Sequence, residues 1–451
     1  MMTRSERFGV RTFRQLPVIL LLLLSFTLWV GCAGDDDDDV GDDDASSHVD
    51  LDDDDDGGDD DYADDDDYAD DDDYDDDDDY LGDDDDDDDA GGDDDDTNGD
   101  DDFEPGKLTA GEWSDLDHWE FWRNLFTDNQ GEENNWSEKE TDWNFYTERR
   151  VSVNVTDGGD PVVDAKVELY EDDDLVWTAR TDNAGVAELF LAPFEADAKV
   201  AAAAYSVKVT SGGKSQTSPA TVPSWETPVA VELDGASPPD NLDLMFVVDT
   251  TGSMSDELSF LQVELADVIE RVADEQSDVD IRLSVNFYRD TEDEYVVRSF
   301  PFTDDIDDAL DDLDDQRASG GGDYPEAVEQ ALDDGIFDHT WSTSARARLL
   351  FLVLDAPPHR TSPIVESLHQ SIEAAAKKGI TIIPVAASGV DKTTEFLLRF
   401  FDILTGGTYV FLTDDSGIGN PHLEPTIGDY QIEYLNDLLV RLITEAVELA
   451  D

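Results

Sequence analysis

The spacing of apolar and polar positions changes several times along this chain, and each change marks a different kind of structure. The first apolar stretch, 17–30, is continuous and follows Arg4, Arg7, Arg11 and Arg14. Between 35 and 102 apolar positions nearly vanish. They return as close aromatics in "GEWSDLDHWEFWRNLF", where Trp119, Trp122 and Phe126 at i, i+3 and i+7 predict one apolar helix face. Next, "RRVSVNVTDGGDPVVDAKVELYEDDDLVWTARTDNAGVAELFLAP" alternates apolar and polar residues in short runs broken by Asp-Gly, Gly-Asp-Pro, "EDDD" and Asn-Ala-Gly. "AYSVKVTSGGKSQT" and "TPVAVEL" add similar runs. Period-two runs with turn punctuation predict an antiparallel all-β sandwich over 151–235. "DGASPPDN", 234–241, reads as a linker.

From Leu242 the pattern becomes that of strands buried on both faces, alternating with helices. "LDLMFVV", "IRLSVNFYR", "ARLLFLVLDA", "ITIIPVAA" and "TYVFLT" are the predicted strands, with "YVVRSFPF" at an edge. "SDELSFLQVELADVIERVA" predicts a helix capped by Ser255 or Asp256 with a buried stripe of Leu258, Leu261, Leu265, Val268 and Ile269. "PEAVEQALDDGI", with Pro325 in its first turn, "SPIVESLHQSIEAAAKKG" and "DYQIEYLNDLLVRLITEAVEL" predict further helices. The expected fold is multidomain. A carboxy-terminal α/β domain, 240–451, carries a doubly wound, mostly parallel sheet. An all-β sandwich precedes it, and a Trp-rich segment, 104–150, packs on the next domain. Exposed sugar-binding tryptophans are the alternative for that segment.

Charge sharpens the amino-terminal reading. The 451 residues include 117 acidic and 27 basic ones, for a net charge of −90. A basic phosphate-binding surface is excluded, so no nucleic-acid partner is expected. Residues 35–102 hold 44 aspartates and no Glu, Lys or Arg, which leaves −46 on the rest. Such a tract cannot bury enough apolar surface to order itself. Residues 32–103 are therefore expected to be a disordered poly-Asp spacer, with the tract 35–102 spanning up to ~220 Å. Two half-matches to a calcium loop lie within it. They begin at Asp52 and Asp94, but Ala63 and Pro105 stand where the closing Glu belongs.

The basic residues and short apolar run at the start predict an export signal, 1–31. "WVGCAG" resembles a bacterial lipoprotein box, with Cys32, the only cysteine, as the lipidated residue. That resemblance implies anchoring to a lipid bilayer, and Ala33 after the cysteine points to the outer membrane of a Gram-negative envelope.

Candidate chemistry lies at strand ends. In a doubly wound sheet the ligand site lies beyond the carboxyl ends of the strands. Asp249 and Asp355 both occupy such ends, and Asp249, Thr251 and Ser253 follow at i, i+2 and i+4. Carboxylates and hydroxyls together suit a hard divalent cation. No G-x-S-x-G, H-E-x-x-H or P-loop occurs, and the six histidines form no ligand pair, so enzyme activity is not expected.

"DTTGSMS" with "LVLDAPPH" resembles the von Willebrand factor A domain and its metal-ion-dependent adhesion site. The resemblance implies Asp249, Thr251, Ser253 and Asp355 as metal ligands. The ion would be Mg²⁺ first, Mn²⁺ or Ca²⁺ otherwise, and a protein partner would offer it an acidic side chain. The family's middle-loop threonine is missing from "ASGGGDYPEA", where Asp323, then Ser319, are the substitutes. His359 either lines the site or is solvated, and "FLTDDSGIGNPHLEPT" either shapes the ligand surface or only connects. "VTDGGDPVVDAKVELY" and "TDNAGVAELFL" resemble the carboxypeptidase-regulatory, transthyretin-like sandwich. The expected function is a surface-anchored, metal-dependent protein-binding or adhesion module. The alternatives are a structural, cation-binding envelope stalk and a metal-dependent hydrolase.

Overall fold

The computed structural model describes residues 104–127, 135–196, 198, 200, 203–276 and 279–449. The chain divides after residue 92, and all the described residues belong to its second unit, 93–451. The readings of the leader, Cys32 and the aspartate tract lie outside the described residues.

An eight-stranded sheet organises the second unit. Its order is Val297–Arg298, Asp280–Tyr288, Asn241–Asp249, Ala347–Leu354, Thr381–Ala386, Tyr409–Leu412, Thr109–Trp113 and Glu433–Tyr434. From Asp280–Tyr288 to Tyr409–Leu412 all neighbours pair in parallel. Antiparallel pairing closes both sides, so the sheet is mixed.

The apolar runs explain this placement, because alternate residues of one strand feed different cores. Leu244, Phe246 and Val248 pack with helices Leu258–Glu275 and Leu435–Val447. Met245 and Val247 pack on the other face with helices Val328–Asp333, Ser362–Lys378 and Lys392–Thr405. The stripe Leu258, Leu261, Leu265, Val268 and Ile269 is buried. Each such side chain contributes roughly 1.5–3 kcal/mol. The first helix starts at Leu258 rather than Ser255, because Gly252–Asp256 form a separate short turn.

The domain boundaries expected from sequence need moving. Thr109–Trp113 is a strand of the α/β sheet, paired with Tyr409–Leu412 and Glu433–Tyr434. Buried Glu264 holds its entry by accepting the backbone N–H groups of Gly106, Lys107 and Leu108 at 2.8, 2.7 and 3.0 Å. A five-residue strand containing glycine gives little periodicity, which is why its place was not legible.

The tryptophans that follow are packing residues. Trp113, Trp119, Trp122, Trp136 and Trp143 are all buried. Trp122 and Trp136 pack on helix Lys392–Thr405, where Arg399 lies 5.0 and 4.9 Å from their rings, while Arg150 of the next domain lies 4.7 Å from the Trp119 ring. Fully buried Arg399 also pairs with Asp115 at 2.7 Å and Glu395 at 3.0 Å.

Residues 150–232 form two four-stranded sheets. One holds Arg150–Asp157 beside Asp160–Pro161, Val186–Phe190 and Val229–Glu232; the other runs Asp174–Arg180, Lys166–Glu171, Tyr205–Ser211, Lys214–Ala220. Their apolar core is continuous with one face of the α/β sheet. This arrangement leaves the carboxyl ends of the parallel strands as the place where polar loops converge.

Candidate metal centre

Asp249 ends its strand with no exposed surface. Its Oδ1 accepts the Thr251 N–H at 2.8 Å and the Thr251 hydroxyl at 2.7 Å. The Ser253 hydroxyl lies 3.1 Å from that of Thr251. The alternate spacing therefore does gather three oxygen-bearing side chains, with the turn Gly252–Asp256 beginning among them.

What these oxygens lack is a positive partner. Asp249 Oδ2 is buried and accepts no hydrogen bond, and the same holds for Oδ1 of Asp355, just past the neighbouring strand. Burial pushes Asp249 up to about 7, and the Asp355 charge adds to this. Burial likewise pushes Asp355 up to about 6, against the nearby Ser253 hydroxyl. Buried carboxylates with open lone pairs are costly unless a cation joins them. The donor set, two carboxylates and two hydroxyls, fits a hard divalent ion.

The middle loop meets this turn through its backbone. Ser319 N–H donates to Thr250 O at 3.0 Å and Gly252 N–H to Gly320 O at 3.2 Å. Gly320 and Gly321 have φ of +83° and +73°, and a Cβ on Gly320 would stand 2.3 Å from the Asp293 carboxylate. The glycine run is thus a conformational requirement, not a slack connection.

The loop's inward acid is one the sequence reading missed. Glu326 is buried, its Oε2 has no partner, and burial pushes it up to about 9, helped by Asp249, Asp290, Asp355 and Asp293. Asp323, expected to complete the Asp249 site, instead gathers with Asp290 and His359, their ligand atoms within 4.8 Å of one another. Ser319 is exposed. Glu326 was hidden because "PEAVEQALDDGI" reads as one helix. In the structure the helix begins at Val328, and Glu326 bridges to Pro358 in extended backbone. Pro325, by leaving residue 324 outside helical geometry, was the available signal. Asp290 was missed because Arg289 separates it from the apolar strand. His359 is half-buried and sits 3.0 Å from Asp290, at the site rather than free in solvent.

The long loop after Tyr409–Leu412 braces the site from behind. His422 Nε2 lies 3.0 Å from Glu257 and Nδ1 2.9 Å from Asp414, while Asn420 donates to Asp256 at 2.6 Å. Burial opposes charge on His422, but these two acids outweigh it and raise its pKa.

The doubly wound sheet thus carries acids and hydroxyls at its strand ends. Residues 243–395 match the von Willebrand factor A domain model, which supports a domain of that kind there. A similar curated protein is the putative ariadne-like RING finger protein R811 of Acanthamoeba polyphaga mimivirus, 27% identical over 187 residues. That match covers 38% of this chain and only 18% of the relative. Among solved structures, conserved hypothetical protein BatB of Bacteroides thetaiotaomicron matches at 12% identity and a TM-score of 0.33, covering 46% of this chain and 98% of BatB. Among the described residues no helix is long and apolar enough to cross a membrane.

Proposed function

We propose that this chain is a protein-binding, adhesion-type module whose partner docks on a divalent cation held by Asp249, Thr251, Ser253 and Asp355. Mg²⁺ suits the all-oxygen set best, with Mn²⁺ or Ca²⁺ as the other candidates. The observation carrying this reading is the pair of buried, unpartnered oxygens, Asp249 Oδ2 and Asp355 Oδ1. An open coordination position on the ion would receive an acidic side chain of the partner. Lipid attached to Cys32 would hold the chain at an outer membrane, with the aspartate tract as spacer.

Binding is favoured over hydrolysis because the histidines of the described region are engaged. His118, His339 and His369 bond Ser114 O, Asp334 and the Trp143 carbonyl; His359 and His422 bond acids. None of them stands free as a general base beside Ser253.

Immobilised Asp- and Glu-containing peptides provide the test. The Mg²⁺-loaded full chain should bind them, and EDTA or Thr251→Ala should abolish that binding. Retention that survives both treatments contradicts the reading. Fatty-acid labelling lost in Cys32→Ser tests the anchor separately.

A further inference from the structure

The tryptophans of segment 104–150 are buried, and so are Trp177 and Trp341. Among the described tryptophans Trp225 alone keeps part of its ring open. It packs against the core of the sandwich and also lines a groove of about 750 Å³. The groove lies between two strands at sheet edges. Among the described residues Lys214–Ala220 pairs with Tyr205–Ser211 alone, and Val229–Glu232 with Arg150–Asp157 alone. Residues 221–228 connect the two strands. Pro223 and Pro228 fix φ within that connector, which lowers the cost of ordering it around a ligand. Arg123, from helix Trp119–Leu125, closes one side.

Arg123 differs from the other arginines that lie over tryptophan rings. Arg150, over Trp119, pairs with Glu188 at 2.7 Å. Arg399, over Trp122 and Trp136, pairs with Asp115 and Glu395. Arg123 lies 5.4 Å from the Trp225 ring and has neither an acid nor a hydrogen bond among the described residues. Acids outnumber bases 117 to 27 in this chain, so a guanidinium that none of them meets can take an acid from outside it. Most other polar groups of the groove are hydroxyls. Ser218, Thr221 and Thr227 line it, and the Ser224 hydroxyl there is buried without a hydrogen bond. Glu226 shares the same wall.

We propose that this groove binds an acidic saccharide, with a pyranose ring laid on Trp225 and its carboxylate paired with Arg123. An indole face suits the C–H face of a pyranose, because both are broad and apolar. The guanidinium can offer a carboxylate two parallel N–H donors while its own plane stays over the ring. The serine and threonine hydroxyls can exchange hydrogen bonds with those of the sugar, and the Ser224 hydroxyl gains the partner it lacks. Glu226 and the net charge of −90 act against a highly charged chain and favour one carboxylate among many hydroxyls. The site shares no residue with the strand-end centre and does not rest on the proposed function.

The test is calorimetric titration of the full chain in EDTA. The probes are short saccharides that each carry one glucuronic, galacturonic or mannuronic acid, beside their neutral hexose counterparts. At least one acidic saccharide should bind saturably, and its neutral counterpart about tenfold more weakly or less. Arg123→Gln, at an exposed helix position, should weaken the acidic saccharide alone by about tenfold and so erase the difference. Trp225→Ala should abolish binding of both, with urea unfolding run beside it to show that the variant folds. Asp249→Ala should bind as the wild type does. No saturable binding across the panel, equal affinity for acidic and neutral members, or an acidic preference that survives Arg123→Gln overturns the proposal. So does binding retained by folded Trp225→Ala.

Discussion

Asp243 and Asp249 lie on one strand, six residues apart, and both are completely buried. Asp243, at the amino end, is surrounded by donors. Arg282 reaches it with two nitrogens at 2.9 and 2.8 Å, and Ser342 adds its hydroxyl at 2.9 Å and its backbone N–H. Asp249, at the carboxyl end, has Thr251 of its own loop on Oδ1, no hydrogen bond on Oδ2 with the Tyr288 hydroxyl nearby, and no basic side chain among the described residues. Burial of an acid therefore does not mark a site by itself. What separates the two is the cation: the fold places Arg282 beside one buried carboxylate and no basic side chain of the described residues beside the other, which is the charge the proposed metal would supply.

Substitutions can break this comparison. The largest loss should follow from removing a buried cation that is already supplied. Arg399→Ala leaves Asp115 without a cation in the core, with Glu395 keeping only Lys392, and should lower stability by about 3–5 kcal/mol in urea unfolding. Asp243→Ala should also destabilise, by about 2–3 kcal/mol, less because Arg282 is partly exposed. Asp249→Asn should do the reverse in EDTA and raise stability by about 1–2 kcal/mol, since it removes an unpaired buried charge. Equal signs for Asp243 and Asp249 in that assay would dissolve the contrast.

Dependence on pH sharpens it. Asp355, Asp249 and Glu326 are raised to about 6, 7 and 9, so the folded chain holds protons the unfolded chain has released. Their contribution is full near pH 4 and is lost as pH rises through these values. In EDTA the urea midpoint should fall between pH 5 and 8, and saturating Mg²⁺ should flatten or reverse that slope. A midpoint that rises with pH in EDTA would show that these groups are already balanced. The smallest effect belongs to His422, whose raised pKa gives stability present below about 6.5 and lost above its folded value. His422→Gln should cost under about 1 kcal/mol at pH 6 and less at pH 9.

Legibility followed the same line between repeated and singular features. The parallel strands and the Leu258 stripe were readable because burial on both faces, or along one helix face, repeats over many residues. Asp249 and Asp355 were readable because each ends an apolar run that stops abruptly, and Thr251 and Ser253 because they follow Asp249 at alternate positions. Glu326 and Asp290 were not. One lay inside an apparent helix and the other behind an arginine, and only tertiary contact brings them to the same spot. Thr109–Trp113 was unreadable for a related reason. Its place in the sheet depends on Glu264, over 150 residues away in sequence.

Calorimetric titration of the full chain with Mg²⁺ in high NaCl, wild type beside Asp249→Ala, tests the central claim most directly. The account predicts one saturable site in the wild type that is absent from the variant. Equal heats from the two proteins would contradict it and leave the buried acids at the strand ends without a metal-binding role.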